Sequence, residues 1–164
     1  MRKDTAEKYN LKTVSDLEKV SDRLTITPTL AFNNRKEALP GIKSKYPNMN
    51  FQDNIAMDGA TRYVALANKE SDVIDAYSTD GLIDYYDLVV LEDDKQYFLP
   101  YYGVPMVSEH LLTEYPDAVG VINELSKHLS SEGMRKLNYE VDVKKREPAE
   151  VAHEFLVQEG LLEK

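Results

Sequence analysis

The sequence predicts an α/β fold in which a sheet carries helices on both faces, followed by a mainly helical C-terminal segment. Three observations lead there. Apolar or alternating runs recur between residues 13 and 91, at Leu24-Thr25-Ile26-Thr27, at 49–57, at Val73-Ile74 and at Leu88-Val89-Val90-Leu91, with helical patterns between them. The connections between these runs are short and rich in Pro, Gly, Asn and Asp. Past Pro100 the strand signals thin out and helical stripes replace them.

Taken in order, residues 1–12 are charged, with little apolar pattern, and read as a segment entering from something upstream. Thr13 with Asp16, or Ser15 with Glu18, offers a capping box for a short helix whose apolar edge is Leu17 and Val20. A strand is expected over Leu24-Thr25-Ile26-Thr27 and on through Thr29-Leu30-Ala31-Phe32, with Pro28 placing its first part at a sheet edge or a strand start. After a turn at Asn33-Asn34-Arg35 comes a helix to about Lys45, broken or restarted at Pro40. Residues 49–57 form a weak strand, and Asp58 is placed to cap a helix that turns Tyr63, Val64, Leu66 and Ala67 inward. The next strand runs from Val73 to Tyr77. A short helix follows at 82–86. Leu88-Val89-Val90-Leu91 has the unbroken apolar character of a strand buried on both faces.

Beyond the charged turn Glu92-Asp93-Asp94-Lys95, residues 101–107 are a further strand candidate despite Pro105. Helices are expected from Pro116 or Asp117 to about Leu129, over 131–137, and from Pro148 to about Gln158. Val119, Ile122, Leu125 and Leu129 make the stripe of the first; Val151, Ala152, Phe155 and Leu156 make that of the last.

Composition narrows the function. At 164 residues the chain holds one domain, or one domain with part of another. A net charge of −9 argues against a nucleic-acid footprint. Cysteine is absent, which excludes disulfides, thiol catalysis and Cys-based zinc sites. His110, His128 and His153 lack metal-ligand spacing, and Asp72, Asp75, Asp80, Asp93 and Asp94 do not match a calcium loop, so no metal is expected. No glycine-rich phosphate loop and no nucleophile elbow is present, and no cofactor is expected.

The aromatic residues carry more. Eleven Tyr stand against four Phe and no Trp. Tyr in place of Phe at half-buried positions accounts for any one of them, but Tyr77, Tyr97, Tyr101 and Tyr102 fall at strand or loop ends rather than on helical stripes. Aromatic faces suit a cation that cannot donate a hydrogen bond, such as a quaternary ammonium. Arg35 lies just past a strand end, in reach of a ligand carboxylate or of a surface salt bridge. The stretch Asp75-Ala76-Tyr77-Ser78-Thr79-Asp80-Gly81 ends a strand, and open α/β sheets bind ligands outside such ends.

These residues also carry a resemblance. Phe32-Asn33-Asn34-Arg35 through Leu39-Pro40-Gly41, Met57-Asp58-Gly59-Ala60-Thr61-Arg62-Tyr63, Asp72 through Gly81, Leu88 through Asp94 and Phe98-Leu99-Pro100-Tyr101-Tyr102 resemble, in order, the substrate-binding proteins of osmoprotectant ABC transporters. Those take up glycine betaine, carnitine, choline and proline betaine. The resemblance implies a type II periplasmic-binding-protein fold, two α/β lobes closing over a ligand, and not an enzyme. It implies that Tyr77 and Tyr101 are walls of an aromatic cage, with Tyr97 a third contributor, Arg35 the carboxylate ligand, and Ser78 and Thr79 polar contacts. Where the family often has Arg-Glu-Asp-Gly this chain has Arg35-Lys36-Glu37-Ala38, so the pocket rim is expected to differ.

Family members are longer at the N-terminus. Residues 1–10 are then the lead-in from a first lobe, 11–97 the second lobe, and 98–164 the hinge and the return to the first. The implied setting is extracytoplasmic, at the membrane of a bacterium. The implied partners are a quaternary-ammonium small molecule and an ABC permease subunit. Membrane attachment would come only through a lipid anchor or a fused permease outside this chain. Half a site and uncovered apolar faces are expected, with a swapped homodimer as one way to cover them. A small acidic α/β hydrolase or metal-dependent enzyme is the alternative reading of the residues.

Overall fold

The computed structural model describes Met1 to Glu163, and these residues divide into two compact units. One comprises Met1–Tyr77 with Leu82–Leu99; the other comprises Ser78–Gly81 with the chain from Pro100 onward.

The first unit is built around residues 24–28. Strand β1 (Thr25–Ile26) pairs in parallel with β2 (Asp53–Asn54), Thr25 beside Asp53 and Ile26 beside Asn54. Its other side meets Val73 through a parallel bridge at Ile26. The strands are short, but the backbone pairing runs past them. Leu24, Ile26 and Pro28 carbonyls accept from Gln52, Ile55 and Met57, while Thr25 C=O accepts from Val73 N–H and Thr27 N–H donates to Val73 C=O. Pro28 has no N–H to give, so its place at the end of this run costs the ladder nothing.

Helices surround this small sheet. Helix α1 (Lys3–Tyr9) occupies the charged segment to which the sequence assigned no element. Its inward face is Thr5 and Ala6, and Arg2 before it is tied to Asp72 at 2.7 Å. Helix α2 (Val14–Glu18) is held by the first of the two expected capping boxes. Thr13 accepts from Asp16 N–H at 3.1 Å, and Asp16 accepts in return from Thr13 N–H at 3.2 Å. Helix α4 (Leu39–Lys45) starts one residue before the expected restart, with Pro40 in its first turn, where its missing N–H costs no helix bond. Leu39 and Ile42 from α4 join Leu17, Leu24, Ile26, Tyr46, Met49 and Val73 in one buried core.

Several elements differ from the sequence expectation. Residues 30–34 are helix α3 (Leu30–Asn34), not a continuation of the strand. Pro28 ends the ladder, and the Thr29 side chain caps the new helix by accepting from Phe32 N–H at 3.1 Å. Helix α5 (Thr61–Ala67) is not capped by Asp58, whose carboxylate accepts from Leu30 N–H at 3.0 Å instead. Its buried face is Arg62, Tyr63, Ala65 and Leu66, while Val64 is 48% exposed and Ala67 lies outside. After helix α6 (Leu82–Tyr85), the Leu88–Leu91 run is not a doubly buried strand. Leu88 bridges Arg2, Glu92 just past the run bridges Thr13, and Val90 is 59% exposed.

The second unit is helical among its described residues. Helix α7 (Glu109–Glu114), which carried no periodic signal, is capped by Ser108, whose hydroxyl accepts from Leu111 N–H at 3.2 Å. Helices α8 (Ala118–His128), α9 (Ser131–Asp142) and α10 (Pro148–Gln158) follow, α9 longer than expected. Residues 101–107 form no strand: nothing in this unit offers them an edge to pair with, and their side chains are largely exposed. The turn at 78–81 is fastened to α9, where Arg135 Nε donates to Ser78 C=O and Asn138 Nδ2 to Thr79 C=O, each at 2.8 Å. Gly81 lies so close to the α9 backbone that an added Cβ would sit 2.5 Å from Tyr139 N, which only glycine avoids.

Two outcomes follow. Leu66 is fully buried on α5, so Leu66→Ala should cost roughly 2–5 kcal/mol in urea unfolding. Asp16 is held at about 2, first by the Lys19 ammonium and then by the Lys12 and Thr13 amides and the Thr13 hydroxyl. A carboxyl lowered on folding contributes above its free value of about 3.9 and loses that contribution as pH falls through the folded value. The protection of α2 amides, taken relative to intrinsic exchange at each pH, should therefore hold at pH 4 and fall toward pH 2, and Asp16→Asn should abolish that acid step.

Candidate functional site

Because β1, β2 and Val73 run parallel, the loops that follow them leave from the same end of the sheet. These are residues 27–35, 55–60 and 74–77. That end of an open α/β sheet is where ligands bind, since loops there are free to differ while the strands stay fixed. Tyr77 and Arg35 both belong to this set.

Tyr77 closes the third loop and is 62% exposed, far from the near-complete burial of the core tyrosines Tyr46 and Tyr63. Arg35 follows α3 with its backbone extended, and its N–H bonds Ala31 C=O at 3.0 Å. Its guanidinium is exposed and donates through Nε to Glu37 at 2.7 Å. Glu37 is held below the usual carboxylate range, first by its own backbone N–H and then by Arg35. This is a surface pair, which a ligand carboxylate can exchange with at small cost.

Tyr97 has a different setting. Its ring meets Phe98 edge-on at 5.1 Å between centroids and packs against the buried core, and Phe98 in turn stacks on Phe32 at 6.5 Å. Its hydroxyl lies over Gly41, 1.8 Å from where a Cβ would stand. In the second unit, Tyr101 is 83% exposed in the extended stretch after Pro100. Ser78 and Thr79 are there as well, their carbonyls engaged by α9 as described. Tyr77, Arg35 and Tyr97 thus belong to the first unit, and Tyr101, Ser78 and Thr79 to the second.

Behind the loops of the first unit lies a polar cluster. The Asp75 carboxylate accepts from Thr29 N–H at 2.7 Å and from the Thr29 hydroxyl at 3.1 Å. Arg62, buried on α5, donates Nε to Asp75 C=O at 3.2 Å and Nη1 to Gly59 C=O at 2.6 Å. The bonds from Thr29 to Asp75, 46 residues away, and from Arg62 to the Asp75 carbonyl left no mark in the sequence, because their partners lie beyond one helical turn. Among the described residues there is no group of three His, Asp or Glu side chains arranged to hold a metal ion. No helix is long and apolar enough to cross a membrane, again among the described residues.

Comparison with known proteins identifies the family of the chain. The sequence profile of the substrate-binding domain of ABC-type glycine betaine transport systems matches residues 1–158. The carnitine transport binding protein OpuCC of Listeria monocytogenes is 40% identical over 163 residues, 99% of this chain and 53% of that protein. The ergothioneine transport permease/ergothioneine binding protein EgtU of Helicobacter pylori is 32% identical over 159 residues, 97% of this chain and 29% of that protein. A crystal structure of a glycine betaine/carnitine/choline ABC transporter superposes with a TM-score of 0.84 at 42% identity, covering 96% of this chain and 58% of that one. The chain thus spans about half the length of OpuCC and less of EgtU. The matching family is one of transport proteins and not of enzymes, which sets the hydrolase and metal-enzyme reading aside. By its match over residues 1–158, the chain belongs to the family of substrate-binding domains of ABC-type glycine betaine transport systems.

Proposed function

We propose that this chain forms part of the extracytoplasmic solute-binding component of a bacterial ABC importer. In this reading it captures quaternary-ammonium osmoprotectants and delivers them to the permease. The observation that carries the reading is Tyr77, an aromatic ring left 62% exposed at the ligand end of the sheet in a chain of this family. A ring exposed at such a cost in apolar surface is suited to a cation's face. Carnitine, glycine betaine and ergothioneine, named for relatives of this chain, each pair a trimethylammonium with a carboxylate. Arg35 is the carboxylate's partner and Tyr77 and Tyr101 are walls of the cage, with Tyr97 bracing it and Ser78 and Thr79 adding polar contacts.

The type II two-lobed arrangement belongs to the same proposal. The first unit is the core of the second lobe, and the half of the relatives that this chain does not match supplies the remaining cage walls. Attachment to the membrane is through a lipid anchor or a fused permease, and Tyr101, Tyr102, Val104 and Met106 form an apolar stretch that a second chain can cover.

Binding measurements decide. In the two-lobed protein, Arg35→Ala should weaken glycine betaine by roughly 1.5–3 kcal/mol, the range for a hydrogen bond to a charged group. Choline, with no carboxylate, should change little; equal losses for both would remove Arg35 from the role. Tyr77→Ala should lower affinity for both ligands yet shift stability by less than about 1 kcal/mol, since the ring is exposed.

For this chain alone, two or three exposed cation–π contacts supply about 1–3 kcal/mol. Micromolar binding needs about 8 kcal/mol. Calorimetry should therefore find betaine binding no tighter than millimolar, and light scattering should find a dimer. Micromolar binding by a monomer would mean that the chain holds a complete site.

A further inference from the structure

Helix α3 contributes no buried residue to the core, and only Phe32 packs at its margin. Apolar burial, the usual anchor of a helix, therefore does little to place it. What places it is polar. Thr29, its N-cap, gives both N–H and hydroxyl to Asp75, and Leu30 N–H goes to Asp58. Asn54 Nδ2 donates to Asn33 Oδ1 at 2.7 Å.

Asp75 is thus bonded to the start of the segment that ends in Arg35, and it stands two residues before Tyr77. Arg62 braces Asp75 from behind: its Nε is 4.0 Å from the carboxylate and bonds the Asp75 carbonyl, while Nη1 reaches across to Gly59. Three loops from the ligand end of the sheet meet on these two side chains. The side chains are only 10% and 15% exposed, and burying such charges seldom improves stability over an apolar pair of the same volume. Stability alone does not explain why they are there.

We infer that Arg62 and Asp75 are positioning residues for the ligand site. Together with Thr29 they fix the loop of Arg35 relative to the loop of Tyr77, so that the carboxylate partner and the cation's ring are held at a set spacing. This assignment rests on the ligand reading above, but its geometric half does not. The pair touches no ligand; it acts through the loops.

The test uses this chain, by NMR, with glycine betaine as the probe. Arg62→Met/Asp75→Leu removes the charges and keeps the volume. Thr29→Val removes the hydroxyl and keeps the shape, and Thr29→Ser keeps the hydroxyl. In the apolar pair, amide exchange at Thr29, Phe32 and Arg35 should accelerate about tenfold, while exchange at Leu66 and Met49 stays unchanged. At a fixed betaine concentration, the shift changes at Tyr77 and Arg35 should fall about threefold, with the thermal midpoint within a few degrees of the parent.

Thr29→Val should reproduce both changes in weaker form, and Thr29→Ser should behave as the parent. This comparison decides the matter if the apolar pair does not fold. Unchanged exchange at Thr29, Phe32 and Arg35, or an unchanged betaine response beside faster exchange, overturns the assignment. If the parent's Tyr77 and Arg35 signals ignore betaine even at about 1 M, beyond the weakest binding that two or three exposed cation–π contacts allow, the ligand reading fails by itself. The exchange data then decide alone whether the pair orders the loops.

Discussion

The first unit depends on the hydrogen bonding of one short stretch of backbone. Residues 24–28 lie between two other segments, and their amides and carbonyls are spent on both sides. A buried peptide group left unpaired costs about as much as a lost hydrogen bond, so a central stretch must find partners on both flanks or leave the core. Here it finds them at 52–57 and at 72–73. This arrangement sends three loops off in one direction and makes a ligand end to the sheet. The regular strands are only two residues long, yet the pairing that matters extends beyond them.

The two ends of that sheet are held differently. The core beneath it is apolar, with Leu24, Ile26, Tyr46 and Met49 almost wholly removed from water. At the ligand end the contacts are polar and directional: Thr29 to Asp75, Leu30 to Asp58, Arg62 to Gly59. Apolar packing tolerates small shifts, because dispersion has no preferred direction, whereas a carboxylate accepting two bonds from one residue sets an angle as well as a distance. The site proposed above, a cation's ring and a carboxylate's partner at a fixed spacing, would gain from the second kind of contact. In the second unit Val151 is the one buried hydrophobic among the described residues, which is why its helices present so much of their stripes to solvent.

Local chemistry was legible in the sequence, and long-range partnership was not. Thr13-Val14-Ser15-Asp16, Pro40 and Pro148 announced helix starts because a cap or a fixed φ acts within one turn. Thr29 is as good a cap as Thr13, but Leu30-Ala31-Phe32 alternates plausibly enough to read as a strand, and only the end of the ladder at Pro28 decides otherwise. Val64 and Ala67 were placed inward on hydrophobicity alone, when buried Arg62 in fact sets the phase of α5. The expected strand at 101–107 had the right residues but no neighbour to pair with among those described. For the site, Tyr77, Arg35 and Tyr101 stood out as aromatic or charged residues outside helical stripes. Asp75 read only as one more acid, because its partner Thr29 is 46 residues away.

The contact between Tyr97 and Gly41 has a bearing on how this sequence is able to drift. A methyl group at position 41 would lie 1.8 Å from the Tyr97 hydroxyl and 2.5 Å from the Lys36 carbonyl. Shortening the side chain at 97 clears the first obstruction and leaves the second, which is backbone. No order of single changes at these two positions reaches a side-chain-bearing residue at 41 without also remodelling the turn at 36. A smaller residue at 97 meets no clash in return, although it leaves a gap beside Phe98 and the buried core and removes the brace proposed for the cage. The steric constraint in this corner is therefore one-sided: shortening residue 97 alone does not free position 41, and the glycine stays until the loop before it is rebuilt.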